Sequence, residues 1–186
     1  MIQKIVLFVI LPIFILKYFS KKFSKFGVIS KSSFLYGIGF GILGAFAIGI
    51  TYYFLQDSIE WESIKESITS RGVNGVTFIF IFAYIMFGNS LIEEFFFRGI
   101  VFDSLLKYFK SFAYIFSSLL FSLYHFAIFG TWFQGYILLL AFVGLFLGGL
   151  FFSWLYKKTN GIWGAYIFHI IVDLVILVIG YNELFI

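Results

Sequence analysis

The chain has 186 residues, of which 62% are hydrophobic and 12% charged, with a formal net charge of +4. Soluble domains run nearer half apolar and a quarter charged, so an ordinary water-soluble domain and a disordered chain are both excluded. There is no cysteine, which removes disulfides, thiolate metal sites and cysteine nucleophiles from consideration.

A helix needs about 20 mostly apolar residues to cross the hydrocarbon core. In chain order the candidates are Ile5–Phe19, Phe34–Leu55, Val73–Phe97, Phe112–Phe129, Tyr136–Tyr156 and Ile162–Tyr181. The first is short and contains Pro12, the single proline, which predicts a kink. A lysine cluster follows it where a signal peptide would carry a small-residue cleavage site, so it reads as an uncleaved anchor. The apolar runs do not alternate as barrel strands do. The expected fold class is therefore all-α: a polytopic membrane helix bundle of about six transmembrane helices. It forms one membrane domain over residues 1–186.

The linkers carry the charge. Lys17, Lys21, Lys22, Lys25, Lys31, Arg98, Lys107, Lys110, Lys157 and Lys158 fall in odd-numbered connections, ten of the thirteen basic residues. Lys4, Lys65 and Arg71 fall on the other side, the last two among Asp57, Glu60, Glu62 and Glu66. The positive-inside rule then puts the odd connections in the cytoplasm and both termini outside. Segment Asp57–Asn74 reads as an exposed, partly amphipathic loop.

Trp61, Trp132, Trp154 and Trp163 lie near predicted helix ends, as interfacial belt residues do. Gly37, Gly39, Gly41, Gly44 and Gly49 in the second segment predict close helix packing, as does the GxxxG pair Gly144 and Gly148 in the fifth. No strand precedes the glycine-rich run, so a phosphate cradle is not expected there. No nucleic-acid partner is expected.

Ionisable groups inside membrane segments are costly, about 2.5–3.5 kcal/mol each on insertion scales, and mark functional sites. Here they are Glu93, Glu94, His125, His169 and Asp173, with Arg98 just beyond the glutamates and Asn89 and Ser90 one turn before them. Glu94 and Arg98 stand four apart in the favourable order for a helical ion pair. Glu93 is rotated by about 100° from Glu94, which leaves it free for another task. His169 and Asp173 share one face of the last segment, and His125 belongs to the fourth. Measured from the segment ends, the four positions could meet in the cytoplasmic half, with the glutamates near the cytoplasmic end of their helix.

These residues form three motifs in order. Glu93-Glu94-Phe95-Phe96-Phe97-Arg98 fits EExxxR, Phe121 to His125 fits FxxxH, and His169 to Asp173 fits HxxxD. Together, with the glycine-rich helix, the Tyr-Lys-Lys-Thr-Asn-Gly turn and Trp163, they resemble the CAAX-protease and bacteriocin-processing family, also called CPBP or Abi. The resemblance covers residues 73–173, the motif-bearing core. It implies an intramembrane endopeptidase acting on a membrane-associated or lipidated peptide, in the plasma membrane of a bacterium. It implies Glu93 as general base, His125 orienting the same water, His169 and Asp173 on the oxyanion side, and Glu94 and Arg98 as supports.

The family commonly carries Asn where this chain has Asp173. An ionised Asp accepts hydrogen bonds and does not donate them. Asp173 is then protonated, orients His169, or ligates a metal. His125, His169, Asp173 and Glu93 could hold a divalent metal such as zinc, though the HExxH spacing is absent. A metal-free glutamate mechanism is the other route. A non-catalytic family member, acting as a bacteriocin immunity or regulatory protein, is the alternative function.

Overall fold

The computed structural model describes residues 2–18, 27 and 29–186. Its secondary structure among the described residues is all helical, with seven helices and short turns. We number them α1 (residues 2–18), α2 (Lys31–Leu55), α3 (Trp61–Thr69), α4 (Gly75–Leu106), α5 (Lys110–Phe129), α6 (Gly135–Thr159) and α7 (Ile162–Phe185). Among the described residues, five are long and apolar enough to cross a membrane: α2, α4, α5, α6 and α7. The first predicted segment is helical but is not one of these five. Lys21, Lys22 and Lys25, which the charge argument uses, lie outside the described residues.

Exposure is inverted relative to a soluble protein. Phe46, Tyr53, Phe54 and Phe80 point outward, while Ser33, Ser90, Glu93, Glu94, Arg98, Ser117, Ser118, Ser122, Ser153, Thr159 and His169 are buried. In lipid the apolar groups have no reason to hide, and the polar ones must find partners inside the bundle. This inversion, with the five helices long and apolar enough to cross a membrane, marks an integral membrane protein.

Local signals explain the helix boundaries. Ser30 caps α2 by accepting from the Ser33 N–H at 3.0 Å. Asn74 and Thr77 form a reciprocal capping box at the start of α4. α6 ends where Asn160 enters the left-handed region at φ 55°. In α1, Pro12 has no N–H to bond the preceding turn. The helix widens into a π stretch at Val6–Ile10 just before it.

Two sequence expectations need correction. Segment 57–74 is not a loop: it contains a 3-10 turn at Gln56–Ser58 and helix α3, whose Ile64 and Ile68 bury against Leu184 of α7. Helix α4 does not end near Phe97 but runs on to Leu106 through two π stretches, Tyr84–Asn89 and Glu94–Phe102. Phe97, Phe102 and Ile100 are buried, so packing rather than the interface claims this extension.

The glycines also divide. A Cβ at Gly37 would meet Ile167 Cβ at 2.7 Å and Gly164 O at 2.9 Å, and one at Gly41 would meet Ile171 Cδ1 at 2.5 Å. With Gly44 against Val172 and Phe168, they let α2 lie close along α7. Gly39, Gly49 and the GxxxG pair Gly144 and Gly148 face open space, and Gly149 makes the close approach in α6 instead, against Ser118 of α5. Trp61 and Trp163 begin helices, with their Nε1–H groups donating to Gln56 O and Gly27 O. Trp132 sits in the α5–α6 connection, and Trp154 stacks on Phe151 within α6.

Candidate active site

Three helices, α4, α5 and α7, bring the ionisable residues together. Glu93 closes the single α-helical turn Ser90–Glu93 that separates the two π stretches, and Glu94 opens the second stretch. π bulges concentrate at functional positions because they shift side chains around the helix axis. Ser117 of α5 donates to Phe97 O at 2.8 Å within the widened region, tying α5 to it.

The longer α4 brings Glu93 and His125 to a common depth. Counted from Leu106 at 1.5 Å per residue, Glu93 lies about 20 Å along the helix, which matches His125, about 22 Å from the start of α5. Glu94 and Arg98 therefore do not hold a helix end, as the spacing alone suggests. They form a buried cross-brace in mid-helix.

Glu94 Oε1 accepts from Arg98 Nη1 at 3.0 Å and from His169 Nδ1 at 2.9 Å. Both partners of the ion pair are fully buried. The guanidinium carbon lies 4.4 Å from the ring centres of both Phe121 and Phe152, so aromatic faces replace solvent around the cation. A carboxylate only accepts, so His169 Nδ1 carries a proton and its Nε2 turns toward the centre of the site.

His125 is fixed in the same way. Its Nδ1 donates to Phe121 O at 2.9 Å, which leaves Nε2 to face Glu93. Glu93 Oε2 lies 3.6 Å from His125 Nε2 and 3.7 Å from His169 Nε2. It is buried and has no hydrogen-bond partner among the described residues. His169 Nε2 is also 3.6 Å from Asp173 Oδ2. Asp173 Oδ2 in turn sits 2.6 Å from Ser90 Oγ, which is 2.7 Å from Ile85 O. Ser90 has one hydroxyl proton for these two oxygens.

Sequence reasoning misses one member of this group. The charge pattern places Lys4 of α1 among the external charges, yet its Nζ lies 2.5 Å from Glu93 Oε1 and also donates to Asn89 Oδ1. Asn89 Nδ2 donates to the same Glu93 oxygen at 2.7 Å. The signal is a lone cation at the head of an apolar segment, but a lysine there ordinarily reaches out to the headgroups. Arg98 likewise leaves the tally of linker charges, so the bias becomes nine against two.

The donor types suit zinc, with two imidazole nitrogens and carboxylate oxygens. The contacts run as a chain from His125 to Glu93 to His169 to Asp173. Among the described residues, no group of three or more His, Asp or Glu is arranged to hold a metal ion.

This constellation lies inside the region that a known family accounts for. The family described as type II CAAX prenyl endopeptidase Rce1-like matches residues 75–175, more than half of the chain. The chain belongs to this family. The match begins at the first residue of α4 and ends two residues beyond Asp173, so it holds every site residue except Lys4. The Rce1-like family is a protease family, and its prenyl endopeptidase description fits a site enclosed by membrane helices. No curated protein and no solved structure matches the chain significantly.

Proposed function

We propose that this chain is an intramembrane endopeptidase that hydrolyses a peptide bond of a membrane-associated or lipidated peptide with a glutamate-activated water. The observation that carries the reading is Glu93 Oε2, buried without a hydrogen-bond partner among the described residues and faced by two imidazole Nε2 atoms at 3.6 and 3.7 Å. Those separations are too long for direct hydrogen bonds, so Oε2 and the Nε2 atoms are open to a water that docks beside them.

A water there donates one proton to Glu93 Oε2 and the other to the lone pair of His125 Nε2. Its own lone pair then points at an incoming carbonyl. Glu93 takes the first proton as the oxygen–carbon bond forms, and the carbonyl electrons move onto oxygen. His169, with Nδ1–H held by Glu94, presents Nε2–H to that oxyanion in its imidazolium form. Asp173 orients this ring, while Ser90 holds the Asp173 carboxyl. When the carbon–nitrogen bond breaks, Glu93 returns its proton to the leaving amine. General-base chemistry of this kind contributes about 10²–10⁴-fold, and a lost oxyanion donor costs about 10²–10³-fold.

The enclosure of the site by membrane helices and the family's prenyl endopeptidase description support this substrate class. The nine-to-two bias in basic residues supports cytoplasmic odd connections in a bacterial plasma membrane, with Glu93 and His125 about 20 Å from them, near the middle of the bilayer rather than in its cytoplasmic half. The partners are then the bilayer and a membrane-bound peptide, with no nucleic acid.

The test is cleavage of a quenched-fluorescent farnesylated peptide ending in a CAAX sequence, by the full chain in lipid nanodiscs. The parent protein should cleave it, and Glu93→Gln should lose at least about a hundredfold. Mass spectrometry of membranes expressing either protein then identifies natural substrates. A folded parent protein that leaves the probe intact, or a fully active Glu93→Gln, overturns the proposal.

A further inference from the structure

The two oxygens of Glu93 have different surroundings. Oε2 faces the histidines, whereas Oε1 is held by Lys4 Nζ at 2.5 Å and Asn89 Nδ2 at 2.7 Å. Lys4 also donates to Asn89 Oδ1, so the three side chains close a ring. The ring sets the direction of the Asn89 amide, with oxygen toward the ammonium and nitrogen toward the carboxylate.

Lys4 is not placed there by default. Its side chain is 13% exposed, and its ammonium lies 4.7 Å from the Tyr124 ring centre and 5.5 Å from that of Phe8. A lysine near the end of an apolar helix ordinarily extends to the headgroups. Here it turns inward to a carboxylate that is 1% exposed. Arg98 is engaged by Glu94, and among the described residues Lys4 is the one lysine or arginine within ion-pair distance of Glu93. α1 is seated for this by Phe8, which stacks on Phe96 at 4.3 Å and meets the Phe97 ring edge-on at 5.6 Å.

We propose that Lys4 is a positioning residue for the hydrolysis: with Asn89 it holds Glu93 Oε1, so that Oε2 stays aimed between His125 and His169. The inference rests on the function proposed above, in which Glu93 is the base. Without the ammonium the carboxylate turns about its terminal bond, and its oxygens lose their separate tasks. A base misplaced by about 1 Å costs about a hundredfold in rate. Lys4 lies behind the carboxylate, so the loss falls on kcat and leaves KM nearly unchanged.

The absence of cysteine makes a clean test possible. Lys4→Cys introduces a single thiol into the full chain. Its thiolate displaces bromide from 2-bromoethylamine and regains an ammonium at lysine length, or displaces iodide from iodoacetamide and gains a neutral amide. In nanodiscs with the farnesylated CAAX probe, Lys4→Cys should lose about tenfold or more in kcat. Aminoethylation should restore most of it, and carbamidomethylation should not.

Parent-like turnover of Lys4→Cys, or equal recovery with both reagents, overturns the inference. So does absence of recovery in aminoethylated protein that melts with the parent. If Lys4→Cys does not fold, Lys4→Arg and Lys4→Met decide: turnover kept by Arg and lost by Met supports the inference, and equal turnover overturns it. Glu93→Gln runs alongside. An active Glu93→Gln sinks the proposed function itself, whereas an inactive Glu93→Gln beside a parent-like Lys4→Cys sinks the role of Lys4 alone. A parent that leaves the probe intact removes both.

Discussion

Replacing Arg98 by Met should destabilise the bundle far more than an ordinary substitution, and a second change at Glu94 should then cost less than it does alone. Arg98 and Glu94 are both fully buried, with Nη1 to Oε1 at 3.0 Å. Removing one partner of such a pair strands the other charge, at about 3–5 kcal/mol. The guanidinium also lies 4.4 Å from two aromatic ring centres, a contact worth about 2 kcal/mol when desolvated. Methionine keeps part of the ring contact but none of the charge, so a loss of about 4 kcal/mol is expected for Arg98→Met. Glu94→Gln should lose about 3 kcal/mol, because its amide oxygen can still accept from His169 Nδ1 while Arg98 loses its counter-charge. In the double variant neither charge remains. Its loss should then fall short of the sum of the two single losses by about 2 kcal/mol. Unfolding from mixed micelles by added SDS, followed by tryptophan fluorescence, measures all four corners of the cycle. Additivity within about 0.5 kcal/mol would refute the cross-brace.

Other expectations follow from individual contacts. Asp173→Asn keeps the size of the side chain and can still satisfy Ser90, so most peptide cleavage should survive, with a weaker dependence on pH, and chelators should do little. An inactive Asn variant together with chelator inhibition of the parent would transfer the site to a metal mechanism. Gly37→Leu should cost about 1–3 kcal/mol in the same SDS titration, since even its Cβ meets Gly164 O at 2.9 Å. Gly39→Leu, which faces open space, should match the parent, and equal losses at both positions would contradict the α2–α7 packing. Reporter fusions after Lys25 and Lys158 should read cytoplasmic and one at Glu62 external. The opposite readings would reverse the orientation.

Much of the site is readable from spacing alone. A separation of four residues on one helix fixes proximity whatever the rest of the fold does, so the Glu94–Arg98 pair and the shared face of His169 and Asp173 need no tertiary information. The cost of burying charge in lipid singles out Glu93, His125 and the others from their positions in apolar segments. The all-helical bundle follows similarly, because hydrocarbon leaves the backbone no other way to satisfy itself along continuous apolar runs.

Contacts between helices decide the rest. Whether a glycine packs or faces lipid depends on which side of its helix meets a neighbour. Gly41 and Gly144 look alike in a string of letters, yet one touches Ile171 and the other nothing. The end of α4 escapes the sequence because its extension to Leu106 is held by burial of Phe97, Ile100 and Phe102, a tertiary effect that local hydropathy does not record. Lys4 is the largest omission. Its separation from Glu93 is 89 residues, and a lysine at a helix end is equally suited to headgroups and to a buried carboxylate. The seating of Phe8 on Phe96 and Phe97 brings α1 alongside α4, and that proximity turns the ammonium inward.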